Sequence, residues 1–445
     1  MGALPSSATY VVIGAGVHGL STAWHLAQEL EVTGKGRGSD VVLLDKTGPG
    51  AGASGIACGC VRNFYMTEPL HAILRHSVDV WMSDPVALGF QQVGYISCGE
   101  ENQSDDYDKM CRSQNAVDYH SDVYHGKDAD KFLKSILPDF KTENVGVALH
   151  EKVSGYAGTY QSTTGMARKC EQLGVQCHWG VEVTGYDVNG GQVSKVMTDQ
   201  GDITCDAVVI GLGAWTPKHW EMLGGSATLD ITYPDGHVAK DQDMWTYWRL
   251  LEGEVYHEPN YRDSNDLDPP VLHVELMNTP VVNQETGEEM ADHLYVYWRN
   301  GSERMDRPGV QGGTIPIKLG PEATVDPYGH ANDEYQAEPE FNDYFSSALA
   351  QLMGRFEGCR RDFRERRNGG IGAFTPDNVP IFDWVLPNVF MIADSNHGYK
   401  MLGVGKLAAR MLTSGNMPEE LKPFAYDRYA TGGTFGDRNS NCPWV

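Results

Sequence analysis

Three glycines, Gly14, Gly16 and Gly19, are the residues whose spacing points most directly to chemistry. They follow the short apolar run TYVVI and precede a helix-like stretch from Leu20 to Leu30. A strand, a tight glycine turn and a helix N-terminus together form a site for the pyrophosphate of a dinucleotide. Gly14 would permit the turn, Gly16 would leave room for the pyrophosphate, and Gly19 would let the helix pack against the strand.

An acidic residue and two further glycine turns support this interpretation. Asp45 closes the next apolar run, DVVLLDK, where a carboxylate would hold the ribose hydroxyls of an adenosine. The segment CDAVVIGLGAW ends in Gly211, Gly213 and Trp215, and a third strand-to-helix turn follows near NVFMIADSNHGYK. A chain that returns to the same sheet is typical of nucleotide-binding folds. The alternative is a glycine-rich turn in an unrelated α/β protein.

Composition, net charge and cysteine spacing limit the classes of protein to which the chain can belong. The 445 residues are 41% hydrophobic, which predicts two or three domains. A net charge of −25 disfavours nucleic-acid and anionic-membrane partners. No apolar run approaches the roughly 20 residues of a membrane span, and the first strand begins too early for a signal peptide. We therefore expect a soluble, cytoplasmic protein. The nine cysteines show no repeated CxxC pairs, so neither a disulfide framework nor a metal site is predicted.

Three segments, taken in order, resemble the FAD-dependent amine oxidases of the D-amino acid oxidase superfamily. They are GAGVHG, GLGAW and TPDNVPIF…NHGYKMLGVGKLAA. Two local matches are similar to the sarcosine oxidase branch. NHGYK ends in Lys400, at the position of a lysine that binds the substrate carboxylate, and IPIKLG contains Lys318, at the position of a lysine that lies over the flavin and promotes its reaction with oxygen.

The resemblance implies a fold and a domain organisation. The fold class would be α/β, a Rossmann-like FAD-binding domain with an inserted mixed-sheet α+β substrate domain. The FAD-binding domain would comprise residues 1–85, 150–225 and 360–423, and the substrate domain 86–149 and 226–359. Residues 424–445 would form a C-terminal tail, which either covers the active site or makes a subunit contact.

The predicted catalytic residues are those that would bind a carboxylate, the substrate or oxygen. Arg62 would bind a carboxylate with a planar fork and Lys400 with a point charge. The alternatives are that Arg62 binds the cofactor or backbone and that Lys400 lies in a surface loop. Lys318 is predicted to be a buried ammonium, with a snorkelling lysine as the alternative. Tyr295 and Tyr297 share one face of a strand, as a cavity wall or as core. Arg299 would contact an anion or be solvated.

The predicted cofactor contacts combine the glycine turns with the loops that follow them. They are Gly14, Gly16, Val17, His18, Gly19, Asp45, Lys46, Ala53, Ser54, Gly59, Cys60, Val183, Gly211, Gly213, Trp215, Gly372, Asn396, His397, Gly398, Tyr399 and Lys400.

Some positions depart from the sarcosine oxidase pattern. The cysteine that carries the flavin there is Gly372 here, and the neighbouring tyrosine is Phe374, so we expect FAD to be bound without a covalent bond. A histidine four residues after the oxygen-activating lysine is Glu322 here, which leaves sarcosine itself an uncertain substrate. Cys58 and Cys60 are predicted to be small buried thiols.

The predicted activity is oxidation of a secondary or tertiary amine that bears a carboxylate. The imine product would hydrolyse to an aldehyde or oxo acid and a smaller amine, while oxygen reoxidises the flavin and gives hydrogen peroxide. The alternatives are a D-amino acid oxidase, an amine dehydrogenase with another electron acceptor, and a flavin-binding assembly protein without turnover. The partners would be the amine substrate and oxygen, and the oligomeric state stays open.

Overall fold

The computed structural model describes residues 2–257, 261–301, 308–329, 331–368, 370–395 and 397–435. The described strands are, in chain order, β1 (Ser7–Ile13), β2 (Val41–Asp45), β3 (Cys60–Val61), β4 (Phe90–Gln91), β5 (Tyr95–Gly99), β6 (Ser121–His125), β7 (Val147–Glu151), β8 (Gly155–Ala157), β9 (Gln176–Trp179), β10 (Val183–Asn189), β11 (Gln192–Thr198), β12 (Gly201–Ile210), β13 (Thr228–Thr232), β14 (Val238–Asp243), β15 (Thr246–Arg249), β16 (Glu252–Tyr256), β17 (Val271–Leu276), β18 (Val281–Val282), β19 (Glu289–Ala291), β20 (Leu294–Asn300), β21 (Gly309–Gly313), β22 (Ile317–Gly320), β23 (Phe363–Asn368), β24 (Ile371–Phe374), β25 (Ile381–Leu386) and β26 (Val389–Ala393).

The α-helices connect and cover these strands. They are α1 (Val17–Thr33), α2 (Ala53–Ile56), α3 (Pro69–Ser83), α4 (Pro85–Leu88), α5 (Ser104–Ala116), α6 (Gly126–Ile136), α7 (Thr159–Gln172), α8 (Thr216–Met222), α9 (Glu340–Leu352), α10 (Gly403–Ser414) and α11 (Arg428–Thr431). None of the helices in the described ranges is both long and apolar enough to span a bilayer.

The first large sheet is the dinucleotide-type sheet. Its central strands β12, β1, β2 and β9 are parallel neighbours, with β26 parallel to β12. Ile13 pairs with both Leu44 and Ile210, so the carboxyl ends of β1, β2 and β12 meet at one edge. Helices α1, α7 and α10 pack together beside this sheet and bury an apolar core. Ligands of open parallel sheets bind at such an edge.

The second large sheet is mixed and follows the order β23-β16-β21-β20-β17-β5-β7-β6. Only β5 and β17 pair in parallel there, and helix α9 packs against β16 and β20. A smaller sheet, β22-β15-β24, runs antiparallel. The predicted α/β class, with a parallel sheet and a mixed-sheet second unit, is confirmed.

The domain boundaries stay a prediction, with one difference in strand pairing. Strand β23 lies inside the segment 360–423 that was assigned to FAD binding, yet it pairs with β16 of the mixed sheet. At the start of the tail, Arg428 is buried and forms an ion pair of 2.9 Å with Asp377. The first residues of the tail are therefore part of the folded structure.

Candidate active site

The glycine turn lies between β1 and α1. Gly14 has a φ of +103°, and a Cβ there would lie 2.5 Å from the carbonyl oxygen of Gly211. A Cβ on Gly19 would lie 1.8 Å from the carbonyl oxygen of Gly14. Both positions therefore require glycine, Gly14 for its backbone conformation and Gly19 for close packing of helix on strand.

A cavity of about 480 Å³ extends from this turn to the mixed sheet. The predicted cofactor residues that line it are Gly14, Gly16, Val17, His18, Asp45, Lys46, Ala53, Ser54, Gly59, Cys60, Val183, Gly211, Gly213, Trp215, Gly372, Gly398, Tyr399 and Lys400. Arg62, Tyr295 and Tyr297 line the same cavity. Gly19 and His397 lie outside its wall, and Asn396 lies outside the described residues.

Asp45 is held rigidly at the end of β2. Its Oδ2 accepts a hydrogen bond of 2.8 Å from the amide of Ala15, and its Oδ1 accepts 2.8 Å bonds from the amides of Thr47 and Gly48. An ionised carboxylate has about four acceptor positions, so further hydroxyl groups can still donate to it from the cavity.

The C-terminal loop packs against the glycine turn. The Tyr399 hydroxyl donates to the carbonyl of Ser54 at 2.6 Å. His18 Nε2 lies 2.8 Å from Asp394 Oδ2, while its Nδ1 is buried without a hydrogen-bond partner among the described residues. His397 Nδ1 lies 2.8 Å from the hydroxyl of Tyr65, behind the cavity wall. The loop thus completes the turn end of the cavity with residues far apart in sequence.

Trp215 and Lys46 form the outer rim of the turn end. The indole of Trp215 donates to Asp326 Oδ1 at 3.0 Å, and Lys46 Nζ lies 2.6 Å from the same oxygen. The Lys46 ammonium also lies 4.6 Å from the ring centre of Trp215. Asp326 therefore ties together the two rim residues.

A row of side chains from the mixed sheet forms the opposite end, which we call the sheet row. Ser97, His273, Tyr297, Gly313 and Glu252 are successive cross-strand partners on β5, β17, β20, β21 and β16. The Tyr297 hydroxyl donates to Glu252 Oε1 at 2.8 Å. A Cβ on Gly313 would lie 2.6 Å from the Tyr297 hydroxyl oxygen. The missing side chain at Gly313 is what lets the tyrosine reach the carboxylate.

His273 is a member of the sheet row that the sequence did not reveal. It is fully buried apart from the cavity that it lines, and its Nδ1 lies 3.4 Å from the hydroxyl of Ser97. Its Nε2 has no hydrogen-bond partner among the described residues. Burial lowers the pKa of His273 well below its usual value, so the ring is neutral at pH 7.

Arg62 lies beside the sheet row and is almost fully buried. Its guanidinium donates to the carbonyl of Phe64 and lies 4.6 Å from the ring centre of Tyr65. Behind it, burial raises the pKa of Glu151 to about 7, although that carboxyl accepts a 2.7 Å hydrogen bond from the amide of Asn63. A guanidinium stays charged in such surroundings, so Arg62 presents a permanent cation to the cavity.

Lys400 faces the same space from the C-terminal loop. Burial, together with the charge of Arg62, lowers the pKa of Lys400 to about 8. At neutral pH it is a second cation. Two residues from opposite ends of the chain therefore bring positive charge to one end of one cavity.

Lys318 does not join them. It lies on β22, opposite Trp248 of β15, with its Nζ 5.9 Å from the Trp248 ring centre. Its side chain is exposed and does not line the cavity, as is also true of Glu322. Lys318 is therefore exposed and not the buried ammonium that the sequence predicts, while its action on oxygen stays a prediction.

Arg299 follows neither of the two expectations for it. It is fully buried on β20 and does not line the cavity. Its Nε donates to the carbonyl of Cys58 at 2.5 Å, and its terminal nitrogen donates to Gln311 Oε1 at 3.0 Å. These contacts tie the loop before β3 to the mixed sheet.

Glu252 and His273 were missed for one reason. In LLEGEVY and VLHVEL each lies in a largely apolar strand pattern two residues before a glutamate, Glu254 or Glu275, and the pattern does not show which of the polar residues faces a site. Alternation along β20 put Tyr295 and Tyr297 on one face, but only the pairing of β16, β17 and β21 with it shows which polar residues share that face.

Comparison with known proteins agrees with this geometry. The family model "FAD dependent oxidoreductase" (DAO) matches residues 9–411. A 4-methylaminobutanoate oxidase (formaldehyde-forming) of Paenarthrobacter nicotinovorans is 26% identical over 269 residues, 57% of this chain and 31% of that protein. The sarcosine oxidase subunit beta of Rhodobacter capsulatus is 26% identical over 224 residues, 49% of this chain and 51% of that protein. The matched segments thus cover about half or less of the length of these relatives.

Solved structures show the same fold. The L-proline dehydrogenase from P. horikoshii superposes with a TM-score of 0.74 at 19% identity, covering 96% of this chain and 99% of that one. The glycine oxidase from Geobacillus kaustophilus gives a TM-score of 0.67 at 16% identity, covering 95% and 98%. Since the family model covers nearly the whole described chain and the fold agrees, this chain belongs to the family of FAD dependent oxidoreductases.

Proposed function

We propose that this chain is an oxidase of a secondary or tertiary amine that carries a carboxylate, of the N-substituted glycine type. The observation that supports it best is that Arg62 and Lys400 line one cavity together with the dinucleotide-type glycine turn. Fixed cations bind a carboxylate, and the turn binds the cofactor that takes the electrons.

FAD fits the residues of the turn end. The glycine turn places the N-terminus of α1 at the cavity, where a pyrophosphate would bind, and Asp45 can accept from ribose hydroxyls. The Nδ1 of His18, which has no hydrogen-bond partner among the described residues, can make a polar contact. When bound, FAD would supply the two-electron acceptor for the amine, and its reoxidation by oxygen would yield hydrogen peroxide. We propose non-covalent binding, because the position of the flavin-linked cysteine in the sarcosine oxidase pattern is Gly372 here.

The substrate would be held by its carboxylate and walled by aromatic rings. Arg62 can bind two carboxylate oxygens with its planar fork, while Lys400 adds a point charge. Tyr295 and Tyr297 line the wall beside them and exclude water from the amine. The Nε2 of neutral His273 can make one further hydrogen bond, which would orient the bound molecule.

The same cations would influence the charge of the amine. A third positive charge beside Arg62 and Lys400 is unfavourable, so they favour the uncharged amine that oxidation requires. No strong general base is then needed. The negative carboxylate and the neutral amine together match the charge at this end of the cavity.

A second candidate is an amine dehydrogenase that passes electrons to an acceptor other than oxygen. The exposed position of Lys318 favours it, because that lysine was the residue assigned to oxygen. The two candidates share substrate chemistry and differ only in what reoxidises the flavin.

The test is anaerobic mixing of the FAD-loaded protein with single amines while the flavin absorbance is followed. The compounds are sarcosine, dimethylglycine, iminodiacetate, 4-methylaminobutanoate, L-proline and D-alanine, with Arg62→Met as the matched variant. We expect bleaching by an N-substituted amino acid and recovery in air. Recovery only with a dye acceptor would indicate the dehydrogenase. Bleaching by D-alanine alone would indicate a D-amino acid oxidase, and no bleaching by any of them would contradict the proposal and favour a flavoprotein without turnover.

A further inference from the structure

Two thiols of one short segment line the cavity. Cys58 and Cys60 flank Gly59, and all three residues contribute to the wall. Cys58 is buried and Cys60 half-buried, and both are free cysteines. The Cys58 thiol donates to the carbonyl of Gln311 at 3.6 Å, and each thiol shifts the pKa of the other. Neither has a part in the proposed amine chemistry.

The backbone is shaped to keep these thiols together. Gly59 has a φ of +70°, so the chain bends between the two cysteines. The Gly59 carbonyl accepts from the amide of Ala157 at 2.8 Å, and Cys60 pairs with Tyr156 of β8. Two residue steps span at most about 7 Å when extended, and disulfides need Cα atoms roughly 4.4–6.8 Å apart. A bent segment of this length is therefore within reach of disulfide closure.

Electrostatics make the two thiols unequal. The adjacent Cys58 thiol lowers the pKa of the Cys60 thiol and the positive charges of Arg299 and Lys400 lower it further, while burial and the charge of Glu252 oppose this. Burial raises the pKa of Cys58 well above its usual value. Thiolates are the reactive form, so Cys60 is the nucleophile of the pair and Cys58 its protonated neighbour.

We infer that Cys58 and Cys60 form a peroxide-reactive dithiol that closes to a disulfide in the wall of the cavity. The Cys60 thiolate would attack one oxygen of hydrogen peroxide, breaking the O–O bond, and give a sulfenic acid and hydroxide. Cys58 sulfur would then displace the sulfenic hydroxyl, losing its proton, to form the S–S bond and water. In total, two thiols are oxidised by two electrons and one hydrogen peroxide is reduced to two waters.

The oxidant connects this site with the amine chemistry. The proposed oxidase would release hydrogen peroxide into this cavity, and in that respect the inference rests on the proposed function. The reactivity of the thiols does not depend on turnover, because added peroxide would reach the same cavity. Arg62 follows Cys60 by two residues, so closure would act on the segment that carries a substrate-binding cation.

The chain contains a matched control pair. Cys170 and Cys177 are a second pair of neighbouring thiols, but neither lines the cavity, and the Cys170 thiol donates to the carbonyl of Leu20 at 3.5 Å. The neighbouring Cys177 thiol, with burial, raises the pKa of Cys170. Because these two thiols lie outside the cavity, they should react more slowly with peroxide than Cys58 and Cys60.

The test is to treat the reduced, FAD-loaded protein with a few equivalents of hydrogen peroxide, alkylate free thiols, and map the peptides by mass spectrometry. We expect the peptide with Cys58 and Cys60 to lose two hydrogens and escape alkylation, at least tenfold faster than Cys170 and Cys177. Cys58→Ser should stop at a sulfenic acid that dimedone traps on Cys60. Cys60→Ser should leave Cys58 alkylatable.

The opposite results would overturn the inference. These are free Cys58 and Cys60 after a dose that oxidises the control pair, equal rates for the two pairs, or no dimedone adduct in Cys58→Ser. Because peroxide is added, a protein that closes this disulfide yet oxidises none of the amines contradicts the proposed function alone. A protein that oxidises amines but keeps both thiols free contradicts only the dithiol.

Discussion

At one end of the cavity, Gly14, Gly16 and Val17 come from a single turn of the chain. At the other end, Glu252, His273 and Tyr297 come from three strands that meet only through the pairing of the mixed sheet. The turn end depends on backbone conformation, whereas the sheet row depends on side chains that share one register position on neighbouring strands. Substitutions at the first end should therefore affect cofactor binding, and at the second end substrate binding.

The largest effect is expected from Gly14→Ala. A Cβ there would lie 2.5 Å from the carbonyl oxygen of Gly211, and the φ of +103° is unfavourable for alanine. Since the clash is with backbone, the turn must move, and we expect FAD occupancy to fall at least tenfold. Flavin absorbance per protein measures it. Gly224→Ala is the control, because its φ is +83° but nothing lies within 4 Å of its Cβ. Equal FAD in both variants would contradict the assigned role of Gly14.

The second prediction concerns the end of the cavity at the sheet row and uses the variant Arg62→Met. Losing a fixed cation that binds a carboxylate costs about 3 kcal/mol, which corresponds to roughly a hundredfold. We expect the rate of flavin reduction at low substrate concentration to fall by about that factor while FAD occupancy stays unchanged. Arg75→Met removes a half-buried arginine outside the cavity and should change neither. Loss of FAD from Arg62→Met would instead place Arg62 in cofactor binding.

This difference also explains what the sequence could predict. The glycine turn and Asp45 are recognisable because a local pattern of strand, turn and helix determines their geometry. Lys400 was found through a local match as well. Glu252 and His273 could not be found, because their position at the cavity depends on strand pairing between segments far apart in the chain. The alternating pattern of a strand shows on which face of the sheet a residue lies, but not which residues of other strands lie beside it.

The third prediction uses the pH dependence of Lys400. Its pKa is lowered to about 8, so the ammonium is present below that pH and is lost as the pH rises through it. Acetate keeps its charge over this range and has no amine, so its affinity reports the cation alone. We expect acetate binding, followed by the flavin spectrum, to weaken by up to tenfold per pH unit above about 8. Lys400→Arg should remove this decline, and a wild-type affinity that is constant to pH 9.5 would contradict the role of Lys400.

The smallest effect is expected at Lys318, the other lysine identified by resemblance. A local match put Lys318 over the flavin, but its strand lies at the edge of a small sheet and its side chain is exposed outside the cavity. We therefore expect Lys318→Met to change the rate of flavin reoxidation by oxygen less than about threefold, since a screened exposed charge acts weakly at a distance. Stopped-flow mixing of the reduced protein with oxygen measures this, and Lys195→Met, at a half-buried lysine outside the cavity, is the control. A tenfold slowing confined to Lys318→Met would mean that this lysine reaches the flavin in the loaded protein. The end of the cavity at the sheet row would then extend to β22, and the exposed position of Lys318 would no longer support a dehydrogenase.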